Sequence, residues 1–501
     1  MKRILGLLLT CALLAACGGD NTTNDDTPIA LHIDKSSLRM NAEGGEESFT
    51  VTASEKVYVV PQDSWLTART GIADAQHNSV VTVTAAANDS YEPREGRLSV
   101  VAGDERQYVT VIQSAKEKEP EPEPTENAAW TVAKRLGAGW NLGNQMDAHI
   151  NGKSDETCWG NPKTTQALFD ALKKAGFSSV RIPVTWMGHI DDENGYKIEE
   201  AWLNRVAEIA GYAEKAGLNA IVNMHHDGAD SAYWLDIKSA AADDAANKRI
   251  VEKLTAVWRQ IAEKFADAGD FLIFESMNEI HDGGWGWGGN LNDGNKQYER
   301  LNEWNQAFVD VVRATGGNNA NRYLGVPGYC TNIDLTIPYF RLPSDTASDR
   351  LLVAVHYYDP YDYTLAAKYS EWGHTATAEN VGSESDITAS FKKLYDKYIV
   401  NGIPVYIGES GCVNRSSERG QAFQRYYLEY MCKAAKTYGM AAFIWDNGAK
   451  GAGTECHAFF DHATGEYCSP EAKAAMETVI KAFTVEDDDY TLDTIYTNAP
   501  K

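Results

Sequence analysis

Eight short runs of almost purely apolar residues, spread over about 350 residues, constrain this chain more than any other feature. They are Leu136 to Asn141, Ser179 to Pro183, Ala220 to Met224, Phe271 to Glu275, Tyr323 to Pro327, Leu352 to Val355, Val405 to Gly408 and Ala442 to Trp445. Between most of them lie amphipathic helical patterns: Thr165 to Ala175, Leu203 to Lys215, Asn247 to Phe265, Asn302 to Ala314, Ile387 to Ile399 and Ala422 to Tyr438. A helix over Glu471 to Phe483 closes the series, and the helix after the fifth run is poorly marked. Continuous apolar strands alternating with helices predict a parallel sheet covered by helices, because such strands bury both faces. Eight units predict a (β/α)8 TIM barrel. The alternative is a doubly wound open sheet, and no Gly-rich nucleotide turn supports it.

Residues 30–115 have a different texture. Runs such as Ser48 to Thr52, Val57 to Val60, Val80 to Val83, Arg97 to Val100 and Tyr108 to Ile112 alternate with period two between turn clusters. This predicts a small all-β, immunoglobulin-like antiparallel sandwich. Asp63-Ser64-Trp65-Leu66 and the closing Val111-Ile112-Gln113 resemble the BACON module. That family's name implies carbohydrate binding, yet no ladder of exposed aromatics is visible, and the favoured expectation is a spacer. Residues 116–127, with their Glu-Pro repeats, cannot form a core and predict an extended, charged linker.

The N-terminus predicts export. Lys2 and Arg3 precede the apolar run Ile4 to Leu14, which is shorter than the roughly 20 residues a membrane span needs. Leu14-Ala15-Ala16-Cys17 resembles a lipobox, implying a signal peptide at 1–16, lipidation of Cys17 and a polar tether over 17–29. The expected product is a lipid-anchored monomer at the outer membrane and cell surface of a Gram-negative bacterium. The net charge of −25 excludes nucleic acid as a partner and leaves a neutral substrate compatible. Six cysteines remain beyond Cys11 and Cys17, as free thiols or in pairs the sequence does not choose. None has zinc-type spacing. The barrel is expected over 128–485, followed by a C-terminal tail over 486–501.

Reactive groups in such a barrel project from the C-terminal strand ends. Read in order, those ends offer Asn141 and Asn144, Arg181, His225 and His226, Asn278 and Glu279, His356 and Tyr358, Glu409, and Trp445. Two carboxylates at separate strand ends suit glycoside hydrolysis, where a proton donor and a nucleophile flank one bond. His225 and His226 are neighbours, and alternation along a strand would send them to opposite faces. No metal or other cofactor is expected. Gly408-Glu409-Ser410-Gly411 lacks the spacing of a serine nucleophile elbow.

The motifs here are specific. Asn278-Glu279 after the fourth strand and Glu409 after the seventh resemble clan A glycosidases, glycoside hydrolase family 5 in particular. Gly139-Trp140-Asn141-Leu142-Gly143-Asn144, Cys158-Trp159-Gly160-Asn161-Pro162, Arg181 to Trp186, Asn223-Met224-His225-His226 and Trp445-Asp446-Asn447-Gly448 are similar to its subfamily 4. The resemblance implies that Glu279 is the general acid/base, kept protonated by its surroundings, with Asn278 on the sugar 2-hydroxyl. It implies that Glu409 is the nucleophile, oriented by Arg181 and Tyr358. His225 and His356 would contact the sugar or tune Glu279, and Trp445 would face the sugar ring. The implied reaction is internal, retaining cleavage of β-1,4-glucans: xyloglucan, mixed-linkage glucan or soluble cellulose. The alternatives are a mannanase or xylanase of the same clan, or a non-catalytic glycan-capture lipoprotein. Trp159, Trp186, Trp234, Trp285 and Trp287 are candidates for a stacking path.

Overall fold

The computed structural model describes residues 30–118, 120–124, 127–285 and 292–501. The expected signal, Cys17, the tether and Trp287 lie outside them. The chain divides into two compact units after Lys118. No helix of the described residues is long and apolar enough to cross a membrane.

The N-terminal unit packs two four-stranded sheets over a core that includes Phe49, Val51, Val81, Val83, Leu98, Val100, Val109 and Val111. One sheet orders His32–Ile33, Gly45–Thr52, Asn78–Ala85 and Leu66–Thr70; the other orders Ser37–Met40, Glu105–Gln113, Arg94–Ala102 and Val57–Pro61. The short strands Ser37–Met40 and Leu66–Thr70 add to the runs legible in sequence. The first of them pairs with Glu105–Gln113 in parallel, so the sandwich is not wholly antiparallel. The motif residues are structural. Gly96 lies where a Cβ would meet the Trp65 ring, and the buried Gln113 amide donates to the Asn41, Ala42 and Ala86 carbonyls. Tyr58 and Tyr108 are about half exposed, opposite Val101 and Ser99 of the strand Arg94–Ala102 that lies between theirs in the second sheet.

The second unit is a (β/α)8 barrel. Its strands are Ala138–Leu142, Ser179–Ile182, Asn219–Asn223, Leu272–Glu275, Leu324–Pro327, Leu351–Tyr357, Val405–Ser410 and Ala441–Asp446, closed in that order and parallel throughout. Glycines in left-handed backbone (Gly176 at φ 109° and Gly217 at φ 72°) end the helices Gln166–Ala175 and Glu200–Ala216. The unmarked helix after the fifth strand is Ile333–Tyr339, a short one with Pro338 inside, which explains its weak pattern.

Two elements differ from expectation. Leu136 belongs to a helix, Ala128–Leu136, capped by Asn127, and Val132 and Leu136 pack with Ile221, Ile273, Leu352 and Phe443 of the barrel core. The run of apolar residues hid this helix because it leads directly into the first strand. Residues 486–501 are not a bare tail: Leu492–Thr497 is a helix whose Leu492, Ile495 and Tyr496 are buried. Three apolar residues at helical spacing supply the reason.

Candidate active site

Above the apolar layer the barrel interior turns polar. Arg181, at the end of the second strand, is fully buried, and its guanidinium is shared between carboxylates on two other strands. Nη1 donates to Glu409 Oε1 at 2.7 Å and to Asn141 Oδ1 at 3.1 Å. Nη2 donates to Asn278 Oδ1 and to Glu275 Oε1, both at 2.7 Å, and Nε reaches Glu275 Oε2 at 3.0 Å. Burial alone would lower the guanidinium pKa, but the charges of Glu275 and Glu409 outweigh it and raise it above the ordinary value.

Glu409 is buried at the end of the seventh strand. Its other oxygen accepts from the Tyr358 hydroxyl at 3.2 Å, and His225 Nε2 stands 3.8 Å from Oε1. Burial and the nearby carboxylates push the Tyr358 hydroxyl far above its usual pKa, so it remains a donor. His225 is held well below the usual imidazole range, first by burial and then by the positive charges around it, and is neutral.

A β-bulge sets the direction of Glu409. Between Val355 and His356 the sixth strand shifts register, so His356 faces Glu409 rather than Gly408. Bulges of this kind re-aim side chains beside active sites. Gly408 fits the tight space there: a Cβ would lie 3.2 Å from His356 Nε2 and 3.3 Å from the Tyr406 ring, so those rings would have to give.

Glu279 reaches the same space from the loop after the fourth strand. His356 Nδ1 lies 2.6 Å from Glu279 Oε1 and 3.8 Å from Glu409 Oε2. One oxygen of each glutamate and a His356 nitrogen fall within 4.8 Å of one another. The surroundings of Glu279 act against the expected protonation. Burial would raise its pKa, but the hydrogen bond and charge of His356, with the charges of His281 and Arg181, hold it below the ordinary carboxylate range. The reason is a short contact to an imidazole that sequence spacing could not reveal.

Trp445 projects from the eighth strand, its ring parallel to His225 with centroids 6.0 Å apart. Gly143 leaves room for it, since a Cβ there would come within 2.8 Å of that indole. Asn161 ties the first and eighth loops together, donating to the carbonyls of Asn144 (3.0 Å) and Asn447 (2.9 Å).

Arg181, His225, Asn278, Glu279, His356, Tyr358, Glu409 and Trp445 therefore gather at one mouth of the barrel. His226 sits farther out, its Nε2 3.7 Å from Asp147 Oδ2 and its ring 5.5 Å from that of His149. Asn144 shapes its loop, at φ 56° with its N–H donated to Asp147 Oδ2. The two histidines do not point apart: their centroids are 4.4 Å apart, because the strand ends at Asn223 and alternation stops with it. Trp186 is fully buried and donates to the Asn223 carbonyl, so it offers no surface for stacking. Trp234 is half-buried with its indole N–H on Asp227 Oδ1, whereas Trp159 and Trp285 are exposed. Sequence reasoning missed Glu275, Tyr406 and the role of Asn223. A lone acidic residue ending the apolar run Leu272–Glu275 is the signal that carried it.

Comparison with known proteins bears directly on this geometry. The model of the family described as cellulase (glycosyl hydrolase family 5) matches residues 143–451. The chain belongs to glycosyl hydrolase family 5. It is a glycoside hydrolase, and the family retains anomeric configuration. Residues 55–114 match the BACON family, described as a putative N-terminal binding domain. A GH5-4 broad-specificity endoglucanase from Bacteroides salanitronis is 56% identical, with a TM-score of 0.70, covering 74% of this chain and 98% of that one. A xyloglucan-specific endo-β-1,4-glucanase of Bacteroides ovatus is 30% identical over 96% of both chains. Endoglucanase A of Paenibacillus barcinonensis is 38% identical, covering 64% of this chain and 82% of its own. Within family 5, oxygens of the two glutamates less than 4.8 Å apart suit the short carboxyl spacing of about 5–5.5 Å that retention uses. The six cysteines beyond the N-terminus are all free thiols.

Proposed function

We propose that this family 5 enzyme cleaves internal β-1,4-glucosidic bonds of plant β-glucans by double displacement, with Glu409 as nucleophile and Glu279 as general acid/base. The observation that carries the assignment is the convergence of the two glutamates around His356, whose Nδ1 lies 2.6 Å from Glu279 and 3.8 Å from Glu409. In the first step Glu409 attacks the anomeric carbon while Glu279 gives a proton to the departing glycosidic oxygen. In the second, Glu279 takes a proton from water as that water displaces Glu409 from the sugar. Asn278 Oδ1 is held by Arg181, which turns its amide N–H groups to the sugar 2-hydroxyl. Trp445 supplies an apolar ring face beneath the reacting sugar.

Xyloglucan, mixed-linkage glucan and soluble cellulose are the proposed substrates. The relatives from B. ovatus and B. salanitronis, named for xyloglucan-specific and broad endoglucanase activity, support that range. Incubation with xyloglucan, barley-type β-glucan, mannan and xylan, followed by sizing of the products, tests it. Mid-length oligosaccharides from the first two support the proposal; activity confined to mannan or xylan overturns it. We also propose that Cys17 carries lipid and holds a monomeric enzyme at the cell surface, the sandwich and linker serving as spacer. Loss of membrane association in Cys17→Ser supports the anchor, and an unchanged membrane fraction overturns it.

A further inference from the structure

Glu275 has no part in the double displacement, yet it holds more of Arg181 than the nucleophile does. It ends the fourth strand fully buried, and four donors converge on its carboxylate. Arg181 grips it through Nε and Nη2, Asn223 Nδ2 donates to Oε1 at 2.8 Å, and the Tyr406 hydroxyl donates to Oε2 at 2.6 Å. Space has been made for the last of these. A Cβ on Gly325, in the neighbouring fifth strand, would lie 2.3 Å from the Tyr406 hydroxyl, so a side chain at that position would displace it. Burial would raise the Glu275 pKa, but the Arg181 charge and hydrogen bonds and the Tyr406 hydroxyl hold it below the ordinary range.

All five guanidinium N–H groups of Arg181 thus have acceptors, and two carboxylates share one positive charge. An unshared arginine beside Glu409 would over-stabilise its carboxylate. That would lower its basicity, and nucleophilic power falls with it. Other groups on the surrounding strands complete the field: His225 from the third, Glu279 near the fourth, His356 and Tyr358 from the sixth. Among them Glu275 is the permanent anion that does not meet the reacting sugar.

We infer that Glu275 is a positioning residue for the nucleophile: it fixes the Nε and Nη2 edge of Arg181 so that Nη1 points at Glu409, and it offsets the guanidinium charge that Glu409 experiences. The inference rests on Glu409 being the nucleophile.

The test is kcat/KM against pH for the full-length enzyme, where the acidic limb reports the ionisation that activates the free enzyme. In Glu275→Gln the unshared arginine stabilises the Glu409 anion, so the acidic limb moves to lower pH by about one unit while kcat falls at least about tenfold. Glu275→Asp keeps the charge but re-aims the guanidinium; kcat falls and the limb stays within about 0.3 unit. Tyr406→Phe also keeps every charge and leaves the limb in place. A folded Glu275→Gln with an unmoved limb overturns the inference. So does a full-unit move in Glu275→Asp or Tyr406→Phe, and these two decide the matter if Glu275→Gln does not fold. In parallel, a 2-deoxy-2-fluoro-β-glycoside labels the wild-type nucleophile for peptide mapping. A label away from Glu409 defeats the catalytic assignment itself, whatever Glu275 does.

Discussion

Nδ1 of His356 lies 2.6 Å from Oε1 of Glu279, so the two groups hold one proton between them. A bare nitrogen facing a bare carboxylate at that distance would repel, and two protons would not fit. Against burial, that bond and the imidazole's charge favour the ionised form of the group that must donate the proton, so His356 holds down the proton affinity of the acid.

His356→Ala separates the pair. The hydrogen bond and charge that hold Glu279 below the ordinary carboxylate range go with the imidazole, and burial is left to raise the carboxyl. The basic limb of the kcat profile therefore moves to higher pH, while kcat falls about tenfold as Glu279 loses the contact that orients it. Rates measured across pH 4 to 9 check this. A basic limb unmoved, or moved downward, shows that His356 does not hold down the proton affinity of the acid.

Trp159 is exposed, its ring tilted against those of His149 and His226 rather than against either glutamate. It touches no reacting atom, so it offers binding that substrate and transition state enjoy alike. Trp159→Ala is expected to raise KM for polymeric glucan several-fold, on the order of 1 kcal/mol for one lost stacking face, with kcat within a factor of two or so. Steady-state kinetics on a long and a short substrate check it, the short one being less affected. A large fall in kcat with KM unchanged would place Trp159 in the chemistry instead.

Most of the barrel was legible because parallel strands buried on both faces write themselves as apolar runs, and the reactive residues stand immediately after those runs. What escaped depended on distances between strands. Glu275 looks like the last residue of one apolar run, and only the closed barrel brings it to Arg181 and Tyr406. The neighbouring His225 and His226 were assigned opposite directions by strand alternation, and the chain leaves the strand one residue before that rule would apply. Trp186 and Trp445 both sit at strand ends and read alike in sequence. The fold buries the first under a backbone carbonyl and turns the second to the cleft over a glycine, Gly143.

Glu371 gives a stability test outside the cleft. It pairs with Arg419 and accepts from the backbone and side chain of Thr377, tying the loop before helix Glu384–Lys397 to helix Glu418–Thr437. The Arg419 and Thr377 hydrogen bonds pull its pKa down to about 2, against roughly 4.3 in the unfolded chain. A depressed carboxyl stabilises the fold above the unfolded value, and that contribution disappears as pH falls from about 4 through about 2. Glu371→Gln should lower Tm by only about 1–2 °C at pH 7, since solvent screens the pair. The gap to wild type should shrink on acidification. Calorimetry at pH 7 and pH 3 reads both values, and a gap that widens at pH 3 contradicts the ion pair.

Among the described residues, two groups of donors converge enough to hold a metal: Asp147, His225 and His226, and Glu279, His356 and Glu409, each within 4.8 Å. Hydrolysis by paired carboxyls asks nothing of a metal, because Glu279 supplies the proton and Glu409 the electron pair. An ion that occupied the second group would consume both. An ion in the first would draw His225 from its place near Glu409, and His225 is neutral, so no proton competes with the metal for it. A chelator is therefore expected to leave the rate unchanged, while micromolar to millimolar Zn²⁺ or Cu²⁺ inhibits reversibly, following the usual preference of imidazole and carboxylate donors. His226→Ala should weaken that inhibition without abolishing it, since the second group remains. Activity lost on chelation and restored by one added metal would show that the two glutamates do not act alone.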